Sequence, residues 1–102
     1  MIVARSEQAK NDALDIALHI SNDSIVAAER FLDQVEMAIR QLQQFPISGP
    51  QIALPQFRAL RCLAVPKFPK YFLFYVGNDS DALIARVGDS TRESAAILDR
   101  SP

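Results

Sequence analysis

The side chains best suited to chemistry are cations and aromatic residues in the second half of this 102-residue sequence. They are Arg61, Lys67, Lys70, Tyr71, Tyr75, Arg86 and Arg92. Arginine binds a phosphate or a carboxylate through two parallel hydrogen bonds. Arg86 and Arg92, near the end of the last predicted strand, therefore predict an anion site. The alternative is that Arg86 forms an ion pair with a helix acid such as Asp12 or Asp15.

The charge distribution argues against general nucleic-acid binding and is compatible with an acidic partner. The net charge is −1, and no basic surplus predicts direct nucleic-acid binding. The charge is uneven, because the only charged residues between positions 51 and 78 are the cations Arg58, Arg61, Lys67 and Lys70. This basic segment fits an acidic partner, and the alternative is a solvated strand face that carries cations.

The sequence lacks the residues that a metal site or a nucleotide-cofactor site needs. One histidine, His19, and one cysteine, Cys62, do not supply a metal site, so no metal is expected. Three glycines argue against a phosphate-binding loop or a dinucleotide motif, so no cofactor is expected. His19 is interpreted as a surface or half-buried helix residue. Cys62 is interpreted as a small core residue.

The length and composition predict one domain over residues 1–102. Hydrophobic residues make up 49% and charged residues 23%, as in globular chains of ordinary composition. The longest apolar run, residues 71–76, is far shorter than the ~20 residues that span a bilayer, so no membrane contact is expected. No secretory signal is visible, and the lone cysteine suits a reducing compartment, which predicts a cytoplasmic protein.

The first half of the chain predicts a short strand and a helical hairpin. Residues 1–5 are apolar and β-branched enough for a strand. Ser6 is a candidate N-cap for a helix over about 7–20, which has one apolar stripe. Asp23 or Ser24 can cap a second helix, over about 24–44, after a short polar break. A proline-rich loop follows over 46–56.

The second half predicts three strands, at about 59–65, 70–77 and 82–88, and a final short helix from Ser90 or Thr91. A turn is predicted over 66–69, with both of its prolines outside any strand pairing. In the central strand, Tyr71, Leu73 and Tyr75 alternate with Phe72, Phe74 and Val76, so one set covers the helices and the other is expected to be exposed. The predicted core contains Ile16, Ile20, Phe31, Leu32, Val35, Ile39, Leu42, Leu63, Phe72 or Leu73, Phe74 or Tyr75, and Val87. The order β-α-α-β-β-β predicts an α+β fold, a helical hairpin packed on a small antiparallel β-sheet.

Six segments, which together span nearly the whole chain, resemble the sequence pattern of a known family. They are the helix Ala9–Ile20, the helix Ala28–Leu42, Phe45-Pro46-x-x-Gly49, Arg58-Ala59-Leu60-Arg61, the aromatic strand Phe68–Tyr75, and Ile84-Ala85-Arg86-Val87 followed by Arg92-Glu93. In this order they resemble the RelE/ParE superfamily of toxins from type II toxin–antitoxin modules, and the ParE branch more than the RelE branch. His19 departs from the family pattern, which usually has an aromatic residue there.

A second departure bears on activity. Asp89 stands where many relatives carry histidine after the Arg-Val pair, and no tyrosine or histidine follows Tyr75. RNA cleavage needs a proton donor and a proton acceptor near one phosphate, and no histidine is expected near the cations. The resemblance therefore implies a ParE-like poison of DNA gyrase that acts by protein–protein contact. The alternatives are a RelE-like ribosome-dependent mRNA interferase and a non-toxic relative that binds an antitoxin.

The resemblance also implies a cognate, ParD-like antitoxin as partner. Its apolar anchors are expected to cover exposed hydrophobic residues beside the helical hairpin, in the helix-in-groove manner. Its acids are expected to contact Arg58, Arg61, Lys67 or Lys70. The candidate residues for binding antitoxin or target are Arg58, Arg61, Lys67, Lys70, Tyr71, Arg86 and Arg92.

Overall fold

Two helices and four strands form the described part of the chain. A computed structural model describes residues 2–45, 60–77 and 81–89. The elements are β1 (Ile2–Arg5), α1 (Glu7–Ser21), α2 (Ile25–Gln44), β2 (Leu60–Val65), β3 (Phe68–Gly77) and β4 (Asp81–Gly88). The predicted order and fold class are confirmed. The predicted loop over 46–56 and the final helix from residue 90 lie outside the described residues.

Serine side chains begin both helices, as predicted. The Ser6 hydroxyl accepts a hydrogen bond from the Ala9 amide at 3.0 Å, and the Ser24 hydroxyl accepts one from Ala27 at 3.1 Å. Each bond satisfies one of the amide groups that a helix leaves without a partner in its first turn. Within the described ranges, neither helix is long and apolar enough to cross a membrane.

The four strands form one mixed sheet in the order β1-β4-β3-β2. The antiparallel pairs β2–β3 and β3–β4 confirm the predicted meander. However, β1 pairs parallel to β4, so the sheet is not antiparallel throughout. The helical hairpin, β2 and β3 all lie between β1 and β4 in the chain, so the connection is long enough for a parallel pair.

The core lies between the helices and one face of the sheet. Of the predicted core, Phe31, Val35, Ile39, Leu42, Leu73, Tyr75 and Val87 are buried, whereas Ile16, Ile20, Leu32 and Leu63 are partly buried and pack against them. Phe31 is fully buried and meets the rings of Phe68 and Tyr71 edge to face, at centroid distances of 5.4 and 5.2 Å. Large apolar side chains of α2 therefore hold the start of β3.

The opposite face of the sheet is less exposed than the alternation predicts. Leu60, Cys62 and Phe74 are buried there in a second apolar cluster, with Phe72 and Ala85 packed against it. The expectation of an exposed face is wrong for this part of the sheet. The expected exposure is confirmed at Val76, whose exposed fraction is 37%.

Candidate functional site

An irregularity in β3 shapes the candidate site. Ala64 of β2 pairs with Phe72 and the next residue, Val65, pairs with Phe68, so Pro69, Lys70 and Tyr71 have no register partner in β2. Proline suits this position because it has no amide proton to donate. Bulges often redirect side chains near functional sites. This one leaves Lys70 and Tyr71 outside the regular pairing of β2 with β3.

The turn before this bulge is tighter than predicted. Pro66 and Lys67 alone connect β2 to β3, and Pro69 lies within β3 rather than in the turn. Lys67 has a φ of 66°, a value that residues with a Cβ atom usually avoid. Because Pro66 fixes its own φ near −65°, the pair has the signature of a type II turn with a lysine where glycine is usual.

Two adjoining cavities meet at His19, Lys70 and Tyr71, and we call them together the Tyr71 cleft. The first, of about 420 Å³, is lined by His19, Ile20, Asp23, Ser24, Ala27, Lys67, Phe68, Pro69, Lys70 and Tyr71. The second, of about 300 Å³, is lined by Asp12, Asp15, Ile16, His19, Lys70, Tyr71, Val87, Gly88 and Asp89. The first cavity therefore carries two lysines and one aspartate, and the second carries three aspartates and Lys70.

Tyr71 lies between the two cavities and is only 6% exposed. The Lys70 ammonium sits 5.1 Å from the centre of its ring, a cation–π contact that holds the charge at the cleft. No described residue hydrogen-bonds to the Tyr71 hydroxyl group. A buried hydroxyl usually has a partner, so this group has an unused capacity to bind.

His19 belongs to this cleft, which the sequence interpretation did not anticipate. The expectation that no histidine lies near the cations is wrong, because His19 lines both cavities together with Lys70. The helical spacing of Asp12, Asp15 and His19 places all three on one flank of α1, and this spacing was the available signal. The fold then brings that flank against the end of the sheet.

Arg86 is engaged in an ion pair. Its Nε and Nη2 donate to the two oxygens of Asp12 at 2.7 and 3.0 Å, which confirms the ion-pair alternative. A bulge lies at this point of β4: Tyr75 pairs with Ile84 and Phe74 pairs with Arg86, so Ala85 is an extra residue and both Ile84 and Val87 reach the helix-side core. Without this extra residue, Ile84 and Arg86 would share one face by simple alternation and Val87 would lie on the other.

Asp12 and Ser6 complete the edge of β4 where β1 ends. The last paired residue of β1 lies opposite Ile84. Beyond it, the Ser6 amide donates to the Ile84 carbonyl at 2.9 Å and the Ser6 hydroxyl donates to the Ala85 carbonyl at 2.7 Å. The Val87 amide then donates to Asp12 at 3.1 Å. Side chains thus replace the missing strand partner.

An apolar groove of about 410 Å³ lies between the two helices, and we call it the helix groove. It is lined by Arg5, Ala9, Lys10, Ala13, Leu14, Leu32, Asp33, Val35, Glu36, Ile39, Leu73, Ile84 and Val87. At one end Arg5 and Glu36 form an ion pair at 2.7 Å. Leu14 is 56% exposed, so the groove offers apolar surface at its rim as well as its floor.

The predicted binding residues do not all lie in the Tyr71 cleft. Of the described candidates, Lys67, Lys70 and Tyr71 come together in the cleft, whereas Arg61 lies in β2 opposite Tyr75 and lines neither cavity. Arg58 and Arg92 lie outside the described residues. Burial raises the pKa of the Cys62 thiol, so it is held in the form that is a poor nucleophile.

The chain is similar to known proteins in sequence and in fold. A family model described as the ParE toxin of type II toxin–antitoxin systems, parDE, matches residues 3–93. A solved structure of the chromosomal ParDE system from P. aeruginosa superposes with a TM-score of 0.71 at 16% identity, over 88% of this chain and 96% of that one. YafQ from E. coli strain BL21(DE3) gives 0.60 at 17% identity, over 94% and 96%. No curated protein sequence matches the chain significantly. At these identities, the structural similarities establish a shared fold.

Proposed function

Since the chain belongs to the ParE toxin family of type II toxin–antitoxin systems, we propose that it inhibits DNA gyrase by binding it. The inhibition requires no covalent chemistry by this protein. A cognate antitoxin holds the toxin inactive in the cytoplasm. Because both solved structures share the fold, the choice of target rests on the chemistry of the site.

The observation that carries this proposal is the Asp12–Arg86 ion pair. An RNA-cleaving site needs cations whose hydrogen-bond donors can reach the reacting phosphate. The bidentate contact commits Nε and Nη2 of Arg86 to a carboxylate of the same chain. Asp89 lines the cleft close by, and its negative charge opposes the approach of a phosphate. A binding poison needs none of these groups to be available.

The antitoxin binds two features of the toxin. A helical segment with apolar anchors occupies the helix groove, because its floor is apolar and Leu14 extends that surface at the rim. Acidic residues of the antitoxin contact the lysines of the β2–β3 hairpin. Since the basic segment is also our candidate for the gyrase contact, the antitoxin neutralises the toxin by covering it.

A second function, mRNA cleavage, is favoured by one observation. His19 lines both cavities of the Tyr71 cleft with Lys70 and Tyr71. A histidine, a lysine and a tyrosine at one place are the groups from which an acid–base site for a phosphodiester is assembled. Asp15 and Asp89 in the adjoining cavity oppose this function because they repel a polyanion.

Controlled expression distinguishes the two functions. The toxin gene is induced in a host with and without the neighbouring antitoxin gene. We expect growth arrest without the antitoxin, induction of the SOS response, and inhibition of purified gyrase in a supercoiling assay. Codon-specific cuts in translated messages, mapped by primer extension, with unimpaired gyrase would establish mRNA cleavage instead.

A pair of double variants tests the proposed gyrase surface. Arg61→Glu with Lys70→Glu reverses two charges in the basic segment, and we expect at least tenfold weaker inhibition of gyrase. Arg30→Glu with Arg40→Glu reverses two exposed charges on α2 and serves as the control. Equal inhibition by both double variants would show that the basic segment does not contact gyrase.

A further inference from the structure

The Tyr71 cleft contains a binding capacity that the fold itself does not use. Tyr71 is 94% buried, yet its hydroxyl has no hydrogen-bond partner among the described residues. A buried hydroxyl without a partner is unfavourable, so a ligand that supplies an acceptor gains free energy on binding. The bulge that removes Lys70 and Tyr71 from the strand pairing positions both at the same cleft.

The groups around this hydroxyl select a negatively charged acceptor. Lys67 and Lys70 outnumber the one acid of the same cavity, Asp23, and Lys70 is held beside the Tyr71 ring by the cation–π contact. A carboxylate accepts hydrogen bonds only, so it can take the tyrosine proton and a lysine ammonium proton together. Charge-assisted hydrogen bonds are about twice as strong as neutral ones.

The rest of the cleft selects a peptide rather than a nucleic acid. Ile20, Ala27, Phe68 and Pro69 give the lysine-bearing cavity apolar walls, which suit an apolar side chain next to the acid. The adjoining cavity has Asp15 and Asp89, which repel the succession of phosphates along a nucleic acid. A peptide carries one isolated carboxylate past this wall at less electrostatic cost.

We infer that the Tyr71 cleft binds an acidic residue, flanked by an apolar one, from the cognate antitoxin. This inference rests on the proposed function, since it places one contact of the antitoxin proposed there. The carboxylate accepts hydrogen bonds from the Tyr71 hydroxyl and from the Lys70 ammonium, and Lys67 adds long-range attraction. The flanking apolar side chain packs against Phe68 and Pro69.

Two single variants of the full-length toxin test this contact against the antitoxin encoded by the neighbouring gene. Tyr71→Phe removes only the hydroxyl, and Lys70→Gln removes one charge. We expect each to weaken antitoxin binding about tenfold, as for a hydrogen bond to a charged group. The double variant should lose less than the product of the two losses, because both groups bind one carboxylate. Arg30→Gln, which removes an exposed charge on α2, is the control and should bind as the wild type does.

Two further measurements separate binding from folding. Tyr71→Phe should leave the thermal unfolding temperature of the free toxin unchanged or raise it, because it removes an unsatisfied buried group. Lys70→Gln should reduce the salt dependence of binding, whereas Tyr71→Phe should not. A tyrosine that is merely structural would instead lower the unfolding temperature and leave the affinity of the folded fraction unchanged.

The outcomes distinguish this inference from the function on which it rests. If the wild type binds the antitoxin and both variants bind equally well, the inference is overturned and the proposed partner stands. If the wild type does not bind the antitoxin, the proposed function fails first. If a uridine decamer binds the wild type and loses affinity in both variants while antitoxin binding is unchanged, the cleft is a nucleic-acid site and the inference is wrong.

Discussion

The Asp12 carboxylate accepts hydrogen bonds from the Arg86 guanidinium at 2.7 and 3.0 Å and, at the same time, one from the backbone amide of Val87 at 3.1 Å. The two side chains are 13% and 15% exposed. One residue of α1 thus fixes both a side chain and the backbone of β4. The contact joins the first helix to the last described strand, where β1 no longer provides a partner.

Loss of Asp12 should be strongly destabilising. Asp12→Ala leaves a mostly buried guanidinium and an amide without their acceptor, and we expect a loss of about 3 kcal/mol in the free energy of unfolding. Asp33→Ala removes an exposed acid from α2 and should change it by no more than about 0.5 kcal/mol. Urea denaturation measures both, and similar losses in the two variants would contradict the structural role of the pair.

The Asp12–Arg86 pair was predicted from the sequence only as one alternative for Arg86. The helical spacing showed that Asp12 was a possible partner, because it fixed the flank of α1 on which the acid lies. The strand pattern alone did not show that Ile84 and Val87 both face the core, because the extra residue Ala85 interrupts the alternation along β4. A bulge of this kind leaves no mark in the hydrophobic pattern of the sequence.

The strained turn before the cleft should respond to glycine. Lys67→Gly removes a Cβ from a position with φ of 66°, where that Cβ costs about 1–2 kcal/mol. The greater freedom of glycine in the unfolded chain costs about 0.5–1 kcal/mol, so we expect a net gain of roughly 0.5 kcal/mol. Lys67→Ala removes the same charge without relieving the backbone and should not be stabilised. Thermal unfolding of the wild type and the two variants measures this difference. Equal unfolding temperatures for Lys67→Gly and Lys67→Ala would show that the backbone at position 67 is not strained.

The buried thiol should make stability fall in alkaline solution. Burial raises the pKa of Cys62 above its ordinary value of 9.0, so the folded state retains its proton after the unfolded state has lost it. Its contribution to stability is complete below pH 9 and is lost as the pH rises from 9 through the folded-state pKa, by at most about 1.4 kcal/mol per pH unit. Urea denaturation from pH 7.5 to 10 should therefore show a steeper decline for the wild type than for Cys62→Ala. Parallel curves would exclude this linkage.

The Tyr71 cleft was predicted only in part. Lys67, Lys70 and Tyr71 follow one another closely in the sequence, so their basic and aromatic character was visible there. His19 joins them through tertiary packing of α1 on the end of the sheet, and no local pattern specifies that contact. Regular elements were predicted better because their periodicity is local.

The helix groove should be the main antitoxin contact, and two leucines of α1 test it. Leu14 and Leu18 lie one turn apart and are 56% and 65% exposed, but only Leu14 lines the groove. Leu14→Glu places a charge among apolar anchors and should weaken antitoxin binding at least tenfold. Leu18→Glu is matched in chemistry and should have little effect. Isothermal titration calorimetry measures both affinities, and equal losses would exclude the groove as the specific contact.

The purified protein should not cleave RNA. Arg86 is paired with Asp12, and arginine does not deprotonate at neutral pH, so Arg86 stabilises charge without transferring protons. Proton transfer by a positioned group contributes about 10²–10⁴ to rate, and His19 is the histidine that lines the cleft. We therefore expect intact transcripts when the toxin is incubated with translating ribosomes, under conditions in which it inhibits gyrase. Cleavage that falls a hundredfold or more in His19→Ala, with the fold retained, would show that the cleft is a nuclease site and that the gyrase proposal is wrong.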